Sequence, residues 1–396
     1  MVSVQEATSI ILSNLFQPKV KEVGLTDSLG KILAAPILTD RDLPPYHRAT
    51  MDGIALRYAA YQSGVTQFTI EAVQAAGEPQ KKLSTNGHCI EIMTGAMMPE
   101  GTDTLVPYEN LKIENGKAII LTSSVEKGQN IHVQGSDAKK NQVLLPMGSI
   151  ISPAEVALLA SVGKTTVAIQ SFPKTAIIST GNELVGVDQV PLLHQIRTSN
   201  SYALQAALST MGGGAELFHS ADDEEELKRE LIKIHSHFDL IILSGGVSKG
   251  KFDFVPKVLE SLGIQKLFHQ VSQKPGKPMW FGRSETKFVF ALPGNPVSTF
   301  MCFHRYLKPW LLKSLGAEAP IQKAILSEDF SFTVPLTYFL QVKVINEDGK
   351  WMAYPIVGGG SGDFANLKKV DGFLELPLDK NEFKAGEAYP LISFRS

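Results

Sequence analysis

Three glycine-rich stretches, each following an apolar β-prone run, carry residue types suited to an anionic ligand. They are Ser179-Thr180-Gly181-Asn182-Glu183, Ser244-Gly245-Gly246-Val247-Ser248-Lys249-Gly250 and Leu292-Pro293-Gly294-Asn295-Pro296-Val297-Ser298. Glycine removes side-chain bulk, so backbone amides can face a phosphate. One such stretch alone reads as a structural turn; three on one sheet edge favour a phosphate-bearing ligand. A fourth stretch, Lys274-Pro275-Gly276-Lys277-Pro278, sets two lysines on a turn stiffened by two prolines. Solvated loop lysines and a clamp for one anion are both open readings, and the prolines make the clamp cheaper in entropy. Glu183 and Asp253 stand just beyond strand ends, where carboxylates suit magnesium. Asp222 opens an acidic run to Glu226 that a helix N-terminus explains first. Asp52, in Met51-Asp52-Gly53 after Leu43-Pro44-Pro45-Tyr46, reads as a turn residue on composition alone.

Other chemistries find less support. Gly245 to Lys251 matches the first seven positions of a nucleotide P-loop, but Phe252 stands where the magnesium-binding hydroxyl belongs. His235 and His237 are two apart, with no partner at zinc spacing, and no nucleophile elbow occurs. Two distant cysteines, Cys89 and Cys302, cannot build a disulfide framework, which fits a reducing cytoplasm. Lysine plus arginine number 38 against 40 acidic residues, a net charge of −2 that argues against nucleic-acid or membrane-surface partners. The most apolar stretch, residues 143–163, is broken by Pro146, Gly148, Pro153 and Glu155, and acidic Glu6 precedes the first basic residue, Lys19. Neither a bilayer helix nor a signal peptide is expected.

The elements that must position these residues follow from the pattern. At about 150 residues per domain, 396 residues suggest two to four domains. Ser3-Val4-Gln5-Glu6 and Ser152-Pro153-Ala154-Glu155 are capping boxes; the first opens an amphipathic helix that runs toward Pro18. Between these helices, short runs at 68–73, 89–93 and 104–107, and a hairpin turn at Asn115-Gly116, predict a β-rich module over 48–138. From Thr175 strands and helices alternate, which implies a parallel sheet with helices on both faces and ligands beyond the strands' carboxyl ends. The last eighty or so residues return to strands and predict a small barrel or sandwich.

In this order and spacing the sequence resembles the molybdopterin molybdenumtransferase family (MoeA and the E domain of gephyrin) over essentially its whole length. The matching stretches are Pro44-Pro45-Tyr46 with Thr50-Met51-Asp52-Gly53, and Thr94-Gly95-Ala96 with Pro99-Glu100-Gly101-Thr102-Asp103. Further matches are Ser179-Thr180-Gly181 with Glu183-Leu184, Asn200-Ser201, Gly245-Gly246-Val247-Ser248 with Gly250 and Asp253, and the stretches at 274–278 and 292–298.

The resemblance implies an α/β plus β multidomain fold. A discontinuous N-terminal linker or dimerisation domain (1–47 and 139–170) precedes and follows an inserted β-rich module (48–138). A doubly wound, mostly parallel molybdopterin-binding domain (171–317) and a small C-terminal β-barrel (318–396) complete it. It further implies a cytoplasmic transferase that inserts molybdenum from molybdate into adenylylated molybdopterin, with magnesium-dependent release of AMP. The implied assembly is a homodimer, with molybdopterin adenylyltransferase and apo-molybdoenzymes as partners. Asp52, Thr94, Glu183, Asp253, Lys274 and Lys277 would be catalytic, and Glu183, Asp222 and Asp253 would surround the metal. Asp137, Thr180, Gly181, Ser199, Asn200, Asp222, Gly245, Gly246, Ser248, Pro293, Gly294, Asn295, Pro296 and Ser298 would bind substrate, with Asp52, Thr94 and Asp137 completing the site across the dimer. A non-catalytic molybdopterin-binding scaffold and a molybdopterin adenylyltransferase are the alternatives.

The chain departs from its relatives at Asn182, where many have aspartate, and at His47-Arg48-Ala49-Thr50 and Ser136. Lys249 and Lys251 also replace usually apolar and acidic positions, so these swaps make the pocket more positive.

Overall fold

A computed structural model describes residues 1–247, 254–318 and 321–395. The chain forms two compact units: one of Met1–Ala35, Met147–Val156 and the chain from Thr165 onward, the other of Pro36–Pro146 with Ala157–Lys164. Helix α1 (Val4–Leu12) starts on the expected capping box: Ser3 Oγ accepts from the Glu6 amide, and the Ser3 amide donates to Glu6 Oε2. It stops well before Pro18. Asn14 Nδ2 donates to the Ile10 carbonyl and the Asn14 carbonyl accepts from Trp310 Nε1, so the chain turns away although Leu15 and Phe16 still pack on the core. Strand β1 (Val20–Gly24) later pairs antiparallel with residues 166–170.

The second unit is built on a six-stranded sheet of β2 (Gly53–Leu56), β3 (Gln67–Gln74), β4 (His88–Ile92), β5 (Thr104–Pro107), β6 (Leu111–Glu114) and β7 (Lys117–Ile120). Their order is β5-β2-β4-β3-β7-β6. The β6–β7 hairpin turns on Asn115 (φ +52°) and Gly116 (φ +73°), the left-handed pair that a two-residue hairpin needs. Ile54, Leu56, Phe68, Cys89 and Val106 form this sheet's own buried core.

Helix α2 (Pro153–Ser161) keeps half its expected box: Ser152 N donates to Glu155 Oε2, but Ser152 Oγ accepts from Ala154 N instead. Strand β8 (Thr166–Gln170) leads into the α/β part of the first unit. There β9 (Thr175–Thr180), α3 (Asn200–Ser209), β10 (Ala215–Ser220), α4 (Glu224–His237), β11 (Leu240–Ser244), α5 (Val255–Ser261) and β12 (Gln265–His269) follow. After β13 (Gln273–Lys274) come β14 (Trp280–Arg283), β15 (Phe288–Leu292) and α6 (Pro296–Cys302). The sheet order is β10-β9-β11-β15-β14-β12. The first four strands are parallel, while β14 runs antiparallel to both neighbours, so the sheet is mixed at one edge. Alternation along each strand feeds two cores. Ile177, Ile242 and Phe290 face α1, α3 and α6, whereas Ile178, Ile241 and Val289 face α4 and α5.

The C-terminal strands are β16 (Gln322–Leu326), β17 (Phe330–Ser331), β18 (Thr337–Glu347), β19 (Lys350–Pro355), β20 (Gly372–Leu376) and β21 (Ala388–Ser393). Pairing runs β18-β19-β16-β21-β20 and returns to β18, which closes a small barrel and resolves the barrel-or-sandwich alternative. Among the described residues no helix is long and apolar enough to cross a membrane.

Candidate functional site

Strands β9, β11 and β15 are parallel neighbours, so their carboxyl ends fall on one edge, and the three glycine-rich loops leave from there. Asn200, the first residue of α3, ties two of them together: its Nδ2 donates to Ser244 Oγ (2.9 Å), the Gly294 carbonyl (2.7 Å) and Thr299 Oγ1 (3.3 Å). Gly245 N donates to the Leu292 carbonyl at 3.1 Å. At Gly245 (φ +104°) a β-carbon would stand 2.6 Å from Thr180 Oγ1 and 2.7 Å from the Thr180 carbonyl, so only glycine permits this approach. Among the described residues, Ser179 Oγ and Thr180 Oγ1 are buried without a hydrogen-bond partner. Leaving such a group unpaired costs about 1–3 kcal/mol, a reason to look for a ligand beside it.

The acidic residues gather at the end of β9. Asp222 N donates to Asn182 Oδ1 (3.1 Å), and Asp222 Oδ2 accepts from Asn182 N (3.4 Å). The Glu183 carboxylate lies over Gly181, 2.6 Å from where a β-carbon would be. Asp223, not Asp222, caps α4, so Asp222 is free of that helical duty. Glu183 follows β9 and Asp222 follows the neighbouring strand β10, and carboxylates at such strand ends suit magnesium, which often takes one or two protein carboxylates with phosphates and waters. Among the described residues no three histidine, cysteine, aspartate or glutamate side chains converge. Asp253, Ser248, Lys249 and Lys251 lie outside the described residues.

Lys274 and Lys277, both exposed, line a cavity of about 360 Å³ together with Pro293, Asn295, Val297 and Ser298. Neither lysine has an ion-pair partner among the described residues. Buried Gln273 sits beneath their loop. Its Nε2 donates to the Gly276 carbonyl (3.0 Å), and its Oε1 accepts from the Tyr306 hydroxyl. The C-terminal barrel supplies lining that the sequence did not lead one to expect: Tyr338, Gln341, Gly358, Gly360 and Ser361. Asn295 Nδ2 donates to Ser361 Oγ at 2.8 Å, and Val297 N donates to the Ser361 carbonyl. The run Gly358-Gly359-Gly360-Ser361-Gly362 was a usable signal; nothing in the sequence distinguished Tyr338 or Gln341 from other strand residues. Ser199 caps α3 without a side-chain bond, Pro296 starts α6, and Ser298 is buried within it.

Asp52, Thr94 and Asp137 belong to the second unit. Asp52 Oδ1 accepts from Thr94 N (2.6 Å) and Thr94 Oγ1 (2.7 Å), and these bonds hold its carboxyl below the usual aspartate range. Asp137 Oδ1 accepts from His132 Nε2 (2.7 Å), which likewise lowers its pKa, and Arg48 donates to His132 Nδ1 (3.0 Å). A guanidinium has only donors, so this geometry fixes His132 as the Nε2–H tautomer. Arg48 and His132 were not among the expected site residues.

Family models match three stretches in order. They are the MoeA N-terminal region (domain I and II) over residues 2–163, a probable molybdopterin binding domain over 176–313, and the MoeA C-terminal region (domain IV) over 323–394. The chain is 40% identical to the molybdopterin molybdenumtransferase of Synechocystis, over all of both chains. It is 31% identical to that of Bacillus subtilis, over all of this chain and 94% of the relative. Its fold matches the crystal structure of a molybdopterin biosynthesis moeA protein from Pyrococcus horikoshii with a TM-score of 0.86, 30% identity and full coverage of both chains. Full-length likeness at this identity, with the three regions in sequence, means that the chain belongs to the molybdopterin molybdenumtransferase family.

Proposed function

We propose that this chain inserts molybdenum, delivered as molybdate, into adenylylated molybdopterin with release of AMP, completing molybdenum cofactor synthesis. The observation that carries the reading is the Asn200-linked meeting of glycine-rich strand ends beside a cavity holding two lysines that have no ion-pair partner among the described residues. Lys274 and Lys277 hold the oxyanion by charge-assisted hydrogen bonds. Thr180, Gly181, Gly245, Gly246, Ser248, Gly294 and Asn295, with Ser199, Asn200, Pro293, Pro296 and Ser298 around them, shape the pterin-phosphate pocket. Glu183, Asp222 and Asp253 would hold magnesium, which would supply charge neutralisation at the phosphates. Asp52, kept ionised by Thr94, and Asp137 complete the site of a partner subunit in a cytoplasmic homodimer. The four-part division at 1–47 with 139–170, 48–138, 171–317 and 318–396 belongs to the same reading. Molybdopterin adenylyltransferase and apo-molybdoenzymes are the partners upstream and downstream.

The test combines purified protein, adenylylated molybdopterin, molybdate and magnesium, and follows AMP release and loading of an apo-molybdoenzyme. Release coupled to loading, lost in Asp253→Ala, is the expected result. Tight binding of the adenylylated pterin without turnover makes the chain a carrier, and no binding at all removes the reading.

A further inference from the structure

Lys274 is held by the barrel. Strand β13 pairs in parallel with β18, which sets Lys274 opposite Tyr338. The Tyr338 ring stacks on Phe332 (centroids 4.3 Å apart, 14° between planes) and on Phe330 (5.7 Å, 2°). Lys274 Nζ lies 5.6 Å from the centroid of the Phe332 ring. No carboxylate pairs with this ammonium among the described residues. A ring face attracts a cation through its quadrupole and carries no formal charge, whereas a carboxylate would neutralise the ammonium and compete with an incoming anion. Phe332 itself does not line the cavity; Lys274 and Tyr338 do.

We propose that Phe332, backed by its stack with Tyr338, is a positioning residue that holds the Lys274 ammonium at the cavity with its charge unspent, and so sets the chain's affinity for a tetrahedral oxyanion. This inference rests on the reading of Lys274 as a molybdate ligand.

The test is the molybdate dependence of AMP release by the full chain with adenylylated molybdopterin and magnesium. Phe332→Leu is expected to raise KM for molybdate about fivefold, the scale of one exposed cation–π contact, with kcat within about twofold of the parent. Phe332→Trp is expected to leave KM unraised. Mono-, di- and trifluorophenylalanine at position 332 keep the ring's shape while draining its face of negative charge, so KM should climb step by step, which packing alone would not produce. A flat fluorination series, with Lys274→Ala still raising KM, overturns the inference and leaves the site reading standing. An unchanged KM in Lys274→Ala overturns both.

Discussion

At the scale of single residues, Asn200 has two hydrogens facing three acceptors, on the end of β11, the loop after β15 and α6. Asn200→Ala should lower stability by about 1 kcal/mol through the lost bonds to Ser244 and Gly294, read in urea unfolding. Asn200→Asp should be worse than alanine, because an anion would then face the Gly294 carbonyl; an aspartate variant as stable as wild type would contradict this account. Asp52 gives a prediction with a sign. Its folded pKa lies below the unfolded value of about 3.9, so the stability from its Thr94 bonds is present above that value. That stability is lost as pH falls through the folded pKa. Thr94→Val keeps the backbone bond and removes the hydroxyl, so the Asp52 carboxyl should titrate at higher pH in a carbon-13 NMR titration. The lysines and acids of the first unit were legible as residue types with anion or cation chemistry. Tyr338 and Gln341 were not, because nothing local marks a strand residue that tertiary packing turns toward a cavity.

At the scale of elements, glycines decide how closely strands and loops meet. A β-carbon on Gly53 would stand 2.0 Å from the Val106 carbonyl, across the β2–β5 pairing. Gly53→Ala should destabilise the second unit by roughly 3 kcal/mol, the scale of other clashes that nothing can relieve, visible as a lowered melting temperature. Gly245→Ala meets Thr180 from within the site. Affinity for the adenylylated pterin should drop at least about tenfold, close to 1.4 kcal/mol, with circular dichroism unchanged. Retained affinity would show that the loop after β11 does not touch the ligand. The main parallel strands were legible because both faces are buried and each reads as an apolar run. Strands β12 and β14 escaped notice: β12 begins Gln265-Lys266 with both exposed, and β14 is interrupted by Gly282, so neither shows a clear period.

At the scale of the whole molecule, the proposed homodimer has Asp52 of one subunit complete the site that Lys274 lines in the other. A mixture of Asp52→Ala chains with Lys274→Ala chains should then regain part of the activity that each homodimer lacks, since one site per heterodimer carries neither change. Co-expression with two affinity tags and an insertion assay on the doubly purified species checks this. Activity no higher than that of the single variants would place Asp52 and Lys274 in the same subunit's site.

The sequence by itself determined many of the elements and marked residue types suited to an anionic ligand. Capping boxes, apolar runs and the Asn115-Gly116 turn are local, and local backbone preferences act over a few residues. It also determined which loops could admit an anion, since glycine and lysine declare their chemistry without neighbours. The structure alone decided that β14 reverses direction next to the sheet edge and that the barrel closes through the pairing of β20 with β18. It alone brought Gln273 beneath the lysine turn and Phe332 over Lys274. These arrangements join residues tens of positions apart, and no local preference encodes them. They are selected by the burial of apolar faces and the pairing of buried polar groups, which exist only once the chain has folded.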